Sequence, residues 1–406
     1  MKILYHHRIG SKDGQAVHID GLVCALRDAG HEVVVVGPAA AHRMEFGDEA
    51  GVVAFIRRRL PRPIAEALEL AYNVPAFLRL YRAVSRHRPA LIYERYNLFF
   101  VAGAVLRAIQ ETPFLLEVNA PLFDERSRYG GLSLNGVARR VESFVWRRAD
   151  VVLPVTEVLA QSIRAAGVDP SRIVVIANGV AEDFLAPGSE ARAFRRELGV
   201  DGRLVLGFVG FVRAWHGLET AIDVIAERGE DLDLHLLVVG DGPALADLRR
   251  QAAERGVAGR VTFAGLVPRS GIRRYIEAFD VALQPNVVPY ASPLKIFEYM
   301  ALERPIIAPD APNIREILQD EQTALLIRPE RPEDMAAAVE KLARDAELRQ
   351  RLAGNAKQAL IDRRLTWCGN AERVVALAAP LLKKRADRER VADDPGSNVR
   401  RSGESI

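Results

Sequence analysis

What most constrains this chain is a rhythm. A short apolar run, a glycine-punctuated loop and an amphipathic helix recur in that order, break near residue 200, and start again. Residues 2–5 read as a strand, IGSKDGQAVHID as a loop passing into a helix that stops at Gly30, and HEVVVVGP as the next strand. Strand, helix, strand in that order makes parallel neighbours, because the helix carries the chain back to its starting edge. Further strands are expected at 52–56, 90–93, 114–119, 150–155 and 173–176, and Asn178-Gly179 closes the last of them as a turn. The second set falls at 204–210, 234–240, 261–263, 281–283 and 305–308, with a further helix from Pro332. Residues 181–202 carry Pro187-Gly188-Ser189 and no core strand, so the interdomain connection is placed there. A chain of 406 residues exceeds one ordinary core, and two doubly wound α/β domains are the expected outcome.

In a parallel sheet the carboxyl ends of the strands share an edge, and ligands gather there. The first loop therefore opens onto the same crevice as the strand ends that follow. Gly14, Glu94, Arg95, Glu117 and Asn119 are expected to share one cleft wall, and His18, four residues past Gly14, either reaches that cleft or only packs. The loop matches a dinucleotide fingerprint poorly, because Gly10 and Gly14 lack a third glycine at the required spacing.

In the second half, VPYASPLKIFEYMALERPIIAPD (288–310) combines a turn, a helix start and a strand. Ser292 is placed to cap the helix and Pro293 to occupy its first turn, where a missing N–H costs nothing. Ile296, Phe297, Met300 and Ala301 recur at helical spacing, which leaves Lys295 and Glu298 as charges on a packed helix. The helix N-terminus plus Lys295 suits a phosphate. Glu298, one turn further in, suits a vicinal diol such as a ribose. Together they read as a nucleotide site, although Ser-Pro helix starts and charges on a solvated face are common without one.

Composition is that of an ordinary soluble protein. Lys and Arg exceed Asp and Glu by only three, which gives no reason to expect nucleic acid. Cys24 and Cys368 are too few for a disulfide framework, which fits a reducing cytoplasm. MKILYHHRIG is broken too soon by His6, His7 and Arg8 to be a secretory signal, and no apolar run approaches the length of a membrane span. Membrane contact would be peripheral. Arg57, Arg58, Arg59 and Arg62 beside Leu60, Leu68, Leu70, Phe77 and Leu80 match a helix on an anionic membrane face, but core packing with a basic rim explains them as well and is the reading preferred from the sequence. Asp241 follows a strand without a second carboxylate at ligand spacing, so Gly242-Pro243 reads as a turn and no metal site is expected. A last apolar helix opens at Thr366-Trp367 and runs to about Leu382, and residues 383–406 have the composition of a mobile tail.

Several strings now argue together: Asn178-Gly179-Val180, Gly240-Asp241-Gly242-Pro243, Val261-Thr262-Phe263-Ala264-Gly265, Asp280 before a strand, and the helix carrying Glu298. In order and spacing the chain resembles the retaining glycosyltransferases of family 4 over nearly its whole length. The resemblance implies a GT-B fold: two Rossmann-like domains facing a cleft, residues 1–182 binding the acceptor and 200–365 the nucleotide-sugar, with a helix at 366–382 crossing back. It implies transfer of a hexose-type sugar from a UDP- or GDP-sugar to a hydroxyl of a glycan or glycolipid, in the cytoplasm or at the inner face of the membrane, with no cofactor or metal. A sugar-nucleotide epimerase and a non-catalytic sugar-nucleotide-binding homologue are the alternatives. Gly14, Arg213, His216, Gly240, Tyr290, Ser292, Pro293, Leu294, Lys295 and Glu298 would line the donor side, and His18, Glu94, Arg95, Glu117 and Asn119 the acceptor side. Arg213, Lys295 and Asn119 would carry the chemistry.

The chain also departs from the family. Glu298 is the second Glu of a Glu-x7-Glu motif, but the first position is Tyr290. Phe211 stands at the usual Arg place and His216 near the usual Lys place, so Arg213 and Lys295 are the expected replacements. Asn119 stands where a His commonly closes the acceptor-side strand.

Overall fold

A computed structural model describes residues 1–10, 14–38, 60–187 and 191–393. The expected strand at 52–56 and the arginines 57–59 lie outside them. In the first half, β1 (Lys2–His6), β2 (Glu32–Val36), β3 (Leu91–Arg95), β4 (Phe114–Val118) and β5 (Val151–Pro154) form one parallel sheet in the order β2-β1-β3-β4-β5. In the second, β6 (Leu204–Val209), β7 (Leu234–Val239), β8 (Val261–Gly265), β9 (Val281–Leu283), β10 (Ile306–Pro309) and β11 (Leu325–Ile327) form another, ordered β11-β10-β9-β6-β7-β8. Among the described residues these strands pair in parallel.

Helices on both faces bury the inner strands, which is why these read as unbroken apolar runs, while the edge strands β2 and β8 stay partly exposed. The packing is close. A Cβ on Gly207, in the middle of β6, would lie 2.0 Å from the Phe279 ring, so glycine there is what lets the ring lie flat against the strand.

The two halves are tied at the chain's return. Val180 pairs with Thr366, and Trp367 N–H donates to the Val180 carbonyl at 3.0 Å. The crossing helix Trp367–Asp393 then lies against the first helix, Gly14–Asp28. Trp367 sits over Gly21, where a Cβ would approach its indole nitrogen to 2.5 Å.

Four expectations need correction. Residues 173–176 form no strand: Val174 and Ile176 donate to β5 carbonyls, but the stretch is an irregular escort of β5. β11 was not expected, being three residues long. The helix expected to carry Leu60, Leu68, Leu70, Phe77 and Leu80 is two, Arg62–Ala71 and Asn73–His87, joined at Tyr72. The crossing helix continues to Asp393, so 383–393 are helical and only 394–406 lie outside the described residues.

Candidate active site

Each sheet has a switch point, where strand order departs in both directions from a first strand: between β1 and β3 in one, between β6 and β9 in the other. The loops leaving those strands frame a crevice. Arg213 and His216 lie in the loop after β6, and Tyr290, Ser292 and Pro293 in the segment between β9 and the helix Leu294–Ala301, which bears Leu294, Lys295 and Glu298. Asn286 N–H donates to the His216 carbonyl at 3.0 Å and ties the two loops together. Across the crevice a Cβ on Gly14 would lie 3.8 Å from Leu294, so the start of the helix Gly14–Asp28 faces the start of this one.

Ser292 does not cap that helix. Pro293 is the cap residue and accepts no side-chain bond, while the Ser292 hydroxyl accepts the Asn178 N–H at 3.2 Å and its carbonyl accepts the Asn178 amide at 2.6 Å. Ser292 therefore joins the loop before this helix to the end of the first domain; the Ile296 N–H donates to the Pro293 carbonyl at 3.1 Å, which leaves the Leu294 and Lys295 N–H groups to face an anion. The turn before it is held by Asn313, whose amide donates to Val288 and Ala291 carbonyls, and by the Thr156 hydroxyl, which donates to the Tyr290 carbonyl at 3.1 Å.

Lys295 Nζ stands 3.6 Å from the centre of the Phe208 ring and makes no ion pair among the described residues. Burial lowers its pKa to about 7, with Glu298 pulling the other way. Gly210 faces the ammonium, where a Cβ would come within 3.0 Å. The Arg213 guanidinium rests between Phe211 and Trp215, 4.9 and 4.7 Å from their ring centres. His216 accepts the Arg213 backbone N–H on Nδ1 at 3.1 Å. Burial first, then the charges of Lys295 and Arg213, lower its pKa to about 2, so it works as a neutral brace and does not supply the missing family cation. Glu298 is buried and accepts from Arg269 Nη1 at 2.5 Å, a partner that no local sequence pattern announces. Gly240 holds a φ of +127°, and a Cβ there would strike the Gly210 carbonyl at 2.0 Å, so two strand-end loops meet at a contact that excludes side chains.

On the opposite wall Glu117 is a hub. One carboxylate oxygen accepts from His18 Nε2 at 2.9 Å and the Tyr93 hydroxyl at 2.7 Å, and the other from Arg95 and from the Asn119 amide at 2.5 Å. Burial resists ionisation of Glu117, but His18, Arg95 and these bonds outweigh it and hold the carboxyl well below its usual range. Burial and the Glu117 charge push the Tyr93 hydroxyl well up. His18 also packs on Trp367 at 4.7 Å, and Glu117, His18, Trp367 and Asn370 border a cavity on the scale of one water. His18, Arg95, Glu117 and Asn119 thus come together as expected. Glu94 does not join them. It follows Tyr93 and precedes Arg95 on a strand, so it points to the other face, where it bonds His6 at 2.5 Å and lies against Gly103. The same alternation could have added Tyr93 to the wall, two residues from Arg95.

The paired sheets, the crevice between them and the returning helix define the GT-B class. Residues 203–345 match the description "Glycosyl transferases group 1" and residues 13–179 match "Glycosyl transferase 4-like domain". The chain belongs to this family of glycosyltransferases. It is 31% identical over 226 residues to an alpha-D-kanosaminyltransferase of Streptomyces kanamyceticus, covering 54% of this chain and 58% of that one. It is 25% identical over 346 residues to a 2-deoxystreptamine glucosyltransferase of the same organism, covering 82% and 86%. A solved structure of Anabaena HepE in complex with UDP superposes with a TM-score of 0.75 at 19% identity, covering 94% of this chain and all of that one.

Proposed function

We propose that this chain is a retaining hexosyltransferase that takes a UDP- or GDP-linked sugar and passes it to a hydroxyl of a glycan or glycolipid. The observation that carries the reading is Lys295: a partly buried ammonium without a carboxylate partner among the described residues, beside a helix N-terminus and at the switch point of the second sheet. A cation held that way is waiting for an anion, and a nucleoside diphosphate supplies one. Similar proteins favour a uridine nucleotide, since HepE has been solved with UDP and with UDP-glucose.

Residues 200–365 would hold the donor and residues 1–182 the acceptor. Lys295, Arg213 and the helix N-terminus would neutralise the diphosphate as it leaves, with the acceptor hydroxyl entering on the same face of the sugar. The site then needs no protein nucleophile and no metal, only charge stabilisation and alignment. Glu298, steadied by Arg269, would take the ribose hydroxyls. Asn119, whose amide nitrogen is committed to Glu117, would turn its carbonyl oxygen to the acceptor hydroxyl. Tyr290 would border the sugar.

A thermal-shift screen against UDP- and GDP-sugars tests the donor, because a ligand at a hundred times its dissociation constant stabilises by about 2.7 kcal/mol. Transfer to glycan, glycolipid and small cyclitol acceptors is then followed in excess EDTA. Stabilisation by no nucleotide-sugar would sink the donor reading, free rearranged sugar without an acceptor would favour an epimerase, and binding without turnover a non-catalytic role.

A further inference from the structure

The helix Arg62–Ala71, which is followed by Asn73–His87, has its polarity reversed. A helix lying on a domain normally turns apolar side chains inward and carboxylates to water. Here Glu66 and Glu69 are 2% and 7% exposed, whereas Ile64 and Leu68 are 50% and 45% exposed. The inward carboxylates are well satisfied: Glu66 accepts the Ser133 and Leu134 N–H groups at 2.8 and 2.6 Å, and Arg126 donates to Glu69 at 2.8 Å. The fold therefore fixes this orientation. On the next helix Val74, Leu78 and Tyr81, spaced at i, i+4 and i+7, are 65%, 44% and 43% exposed and continue the apolar stripe.

Charge on this face has one sign. Between residues 60 and 88 the exposed charged side chains are Arg62, Arg82, Arg86 and Arg88, and both acidic residues of the segment are the buried Glu66 and Glu69. Lateral packing against another part of the chain would cover such a stripe, and among the described residues nothing covers it.

We propose that this face docks on an anionic lipid surface, with the stripe in the headgroup–acyl boundary and the arginines on lipid phosphates. An apolar face with a basic rim gains from both the buried area and the surface potential. A second copy of the chain is the poorer occupant, because a two-fold contact would set arginines against arginines with no exposed carboxylate in the segment to meet them. Among the described residues no helix is long and apolar enough to cross a membrane, so contact is from one side. Asn73 connects the surface to the acceptor wall, since its amide donates to the Phe99 carbonyl and accepts the Val101 N–H in the loop that leaves β3. The proposal does not depend on which sugar or acceptor is used.

The test is co-sedimentation of the full chain with vesicles of phosphatidylcholine alone and of equal parts phosphatidylcholine and phosphatidylglycerol, at low and high salt. The protein should partition onto the anionic vesicles, and less so in high salt. An Ile64→Gln, Leu68→Gln, Leu78→Gln variant should lose partitioning by roughly tenfold or more with its melting temperature unchanged. If that variant melts early, Arg82→Gln with Arg86→Gln serves instead and should remove the preference for anionic vesicles. Wild-type protein that stays in the supernatant, variants that sediment like wild type, or a wild-type dimer that the triple variant converts to a monomer without any lipid binding would each overturn the proposal.

Discussion

On the first sheet's side of the crevice charge is already matched: Glu117 takes four donors, from His18, Tyr93, Arg95 and Asn119. On the second sheet's side the cations face rings, Lys295 against Phe208 and Arg213 between Phe211 and Trp215, and among the described residues neither forms an ion pair. A matched buried network fixes geometry, and removing one member strands the rest. An unmatched cation destabilises the empty protein and is offset only when an anion arrives. The first wall reads as an orienting surface, the second as a receiving one.

The largest effect that would break this contrast belongs to the first wall. Glu117→Ala leaves Arg95 buried without its partner, and should destabilise the fold by about 3–5 kcal/mol in a denaturant titration. A loss below about 1 kcal/mol would mean that the network is slack. Lys295→Met should act in the opposite sense on stability, leaving the empty protein as stable or more so, while donor affinity falls by roughly ten- to a hundredfold, the worth of one charge-assisted bond of about 1.5–3 kcal/mol.

Acidity gives the same residue a second test. The Lys295 pKa of about 7 lies below the ordinary 10.5, so between those values the unfolded chain binds more protons than the folded one. Stability of the empty protein should therefore rise with pH across that window, and the full penalty is present below it. Donor binding requires the charged form and should take up a proton, so affinity weakens as pH climbs above about 7. Calorimetry in buffers of different ionisation heat reads that proton directly, and Lys295→Met should abolish the uptake. Equal uptake in the variant would assign the proton elsewhere.

Much of this architecture was legible because parallel sheets buried on both faces write themselves as apolar runs, and loops after those runs then fall at one edge. Gly14, Arg95, Glu117 and Asn119 follow from that logic as neighbours at one strand edge, whereas Lys295 and Glu298 come from reading the helix start and Arg213 from the family resemblance. What escaped depends on contacts distant in sequence. Arg269 reaches Glu298 across 29 positions, and Asn178 holds Ser292 across 114, with no local pattern to announce either. Glu94 was misplaced for a simpler reason, since a strand alternates and the residue beside Arg95 must face away. The stretch 173–176 has strand composition, yet it makes only a few bonds to β5 and lacks a second neighbour.

Glu298→Gln sharpens the comparison within the second wall. Arg269 keeps a hydrogen-bonding partner in the variant, so the fold should survive, but one oxygen acceptor for a ribose hydroxyl is lost. Donor affinity should fall by about tenfold, and an unchanged affinity in a protein with native melting behaviour would remove Glu298 from the ribose site.

The smallest expected effect concerns residue 290, which the family resemblance sets at the first position of a Glu-x7-Glu motif. The turn that presents Tyr290 is secured through its backbone, by Thr156 on the Tyr290 carbonyl and by Asn313 on the carbonyls of Val288 and Ala291, so the side chain can change without moving the loop. A phenol offers an apolar ring and one hydroxyl where a carboxylate would accept two sugar hydroxyls. The native site should therefore tolerate sugars with fewer or rearranged hydroxyls, and Tyr290→Glu should move preference back toward fully hydroxylated ones. One hydrogen bond to a neutral partner is worth about 0.5–1.5 kcal/mol, which puts the change at roughly two- to tenfold in the ratio of kcat/KM for glucose-type over deoxy- or acetamido-type donors. A ratio that stays within error would mean that residue 290 does not read the sugar, and that the loop's contribution lies in its backbone hold on the helix start beside Lys295.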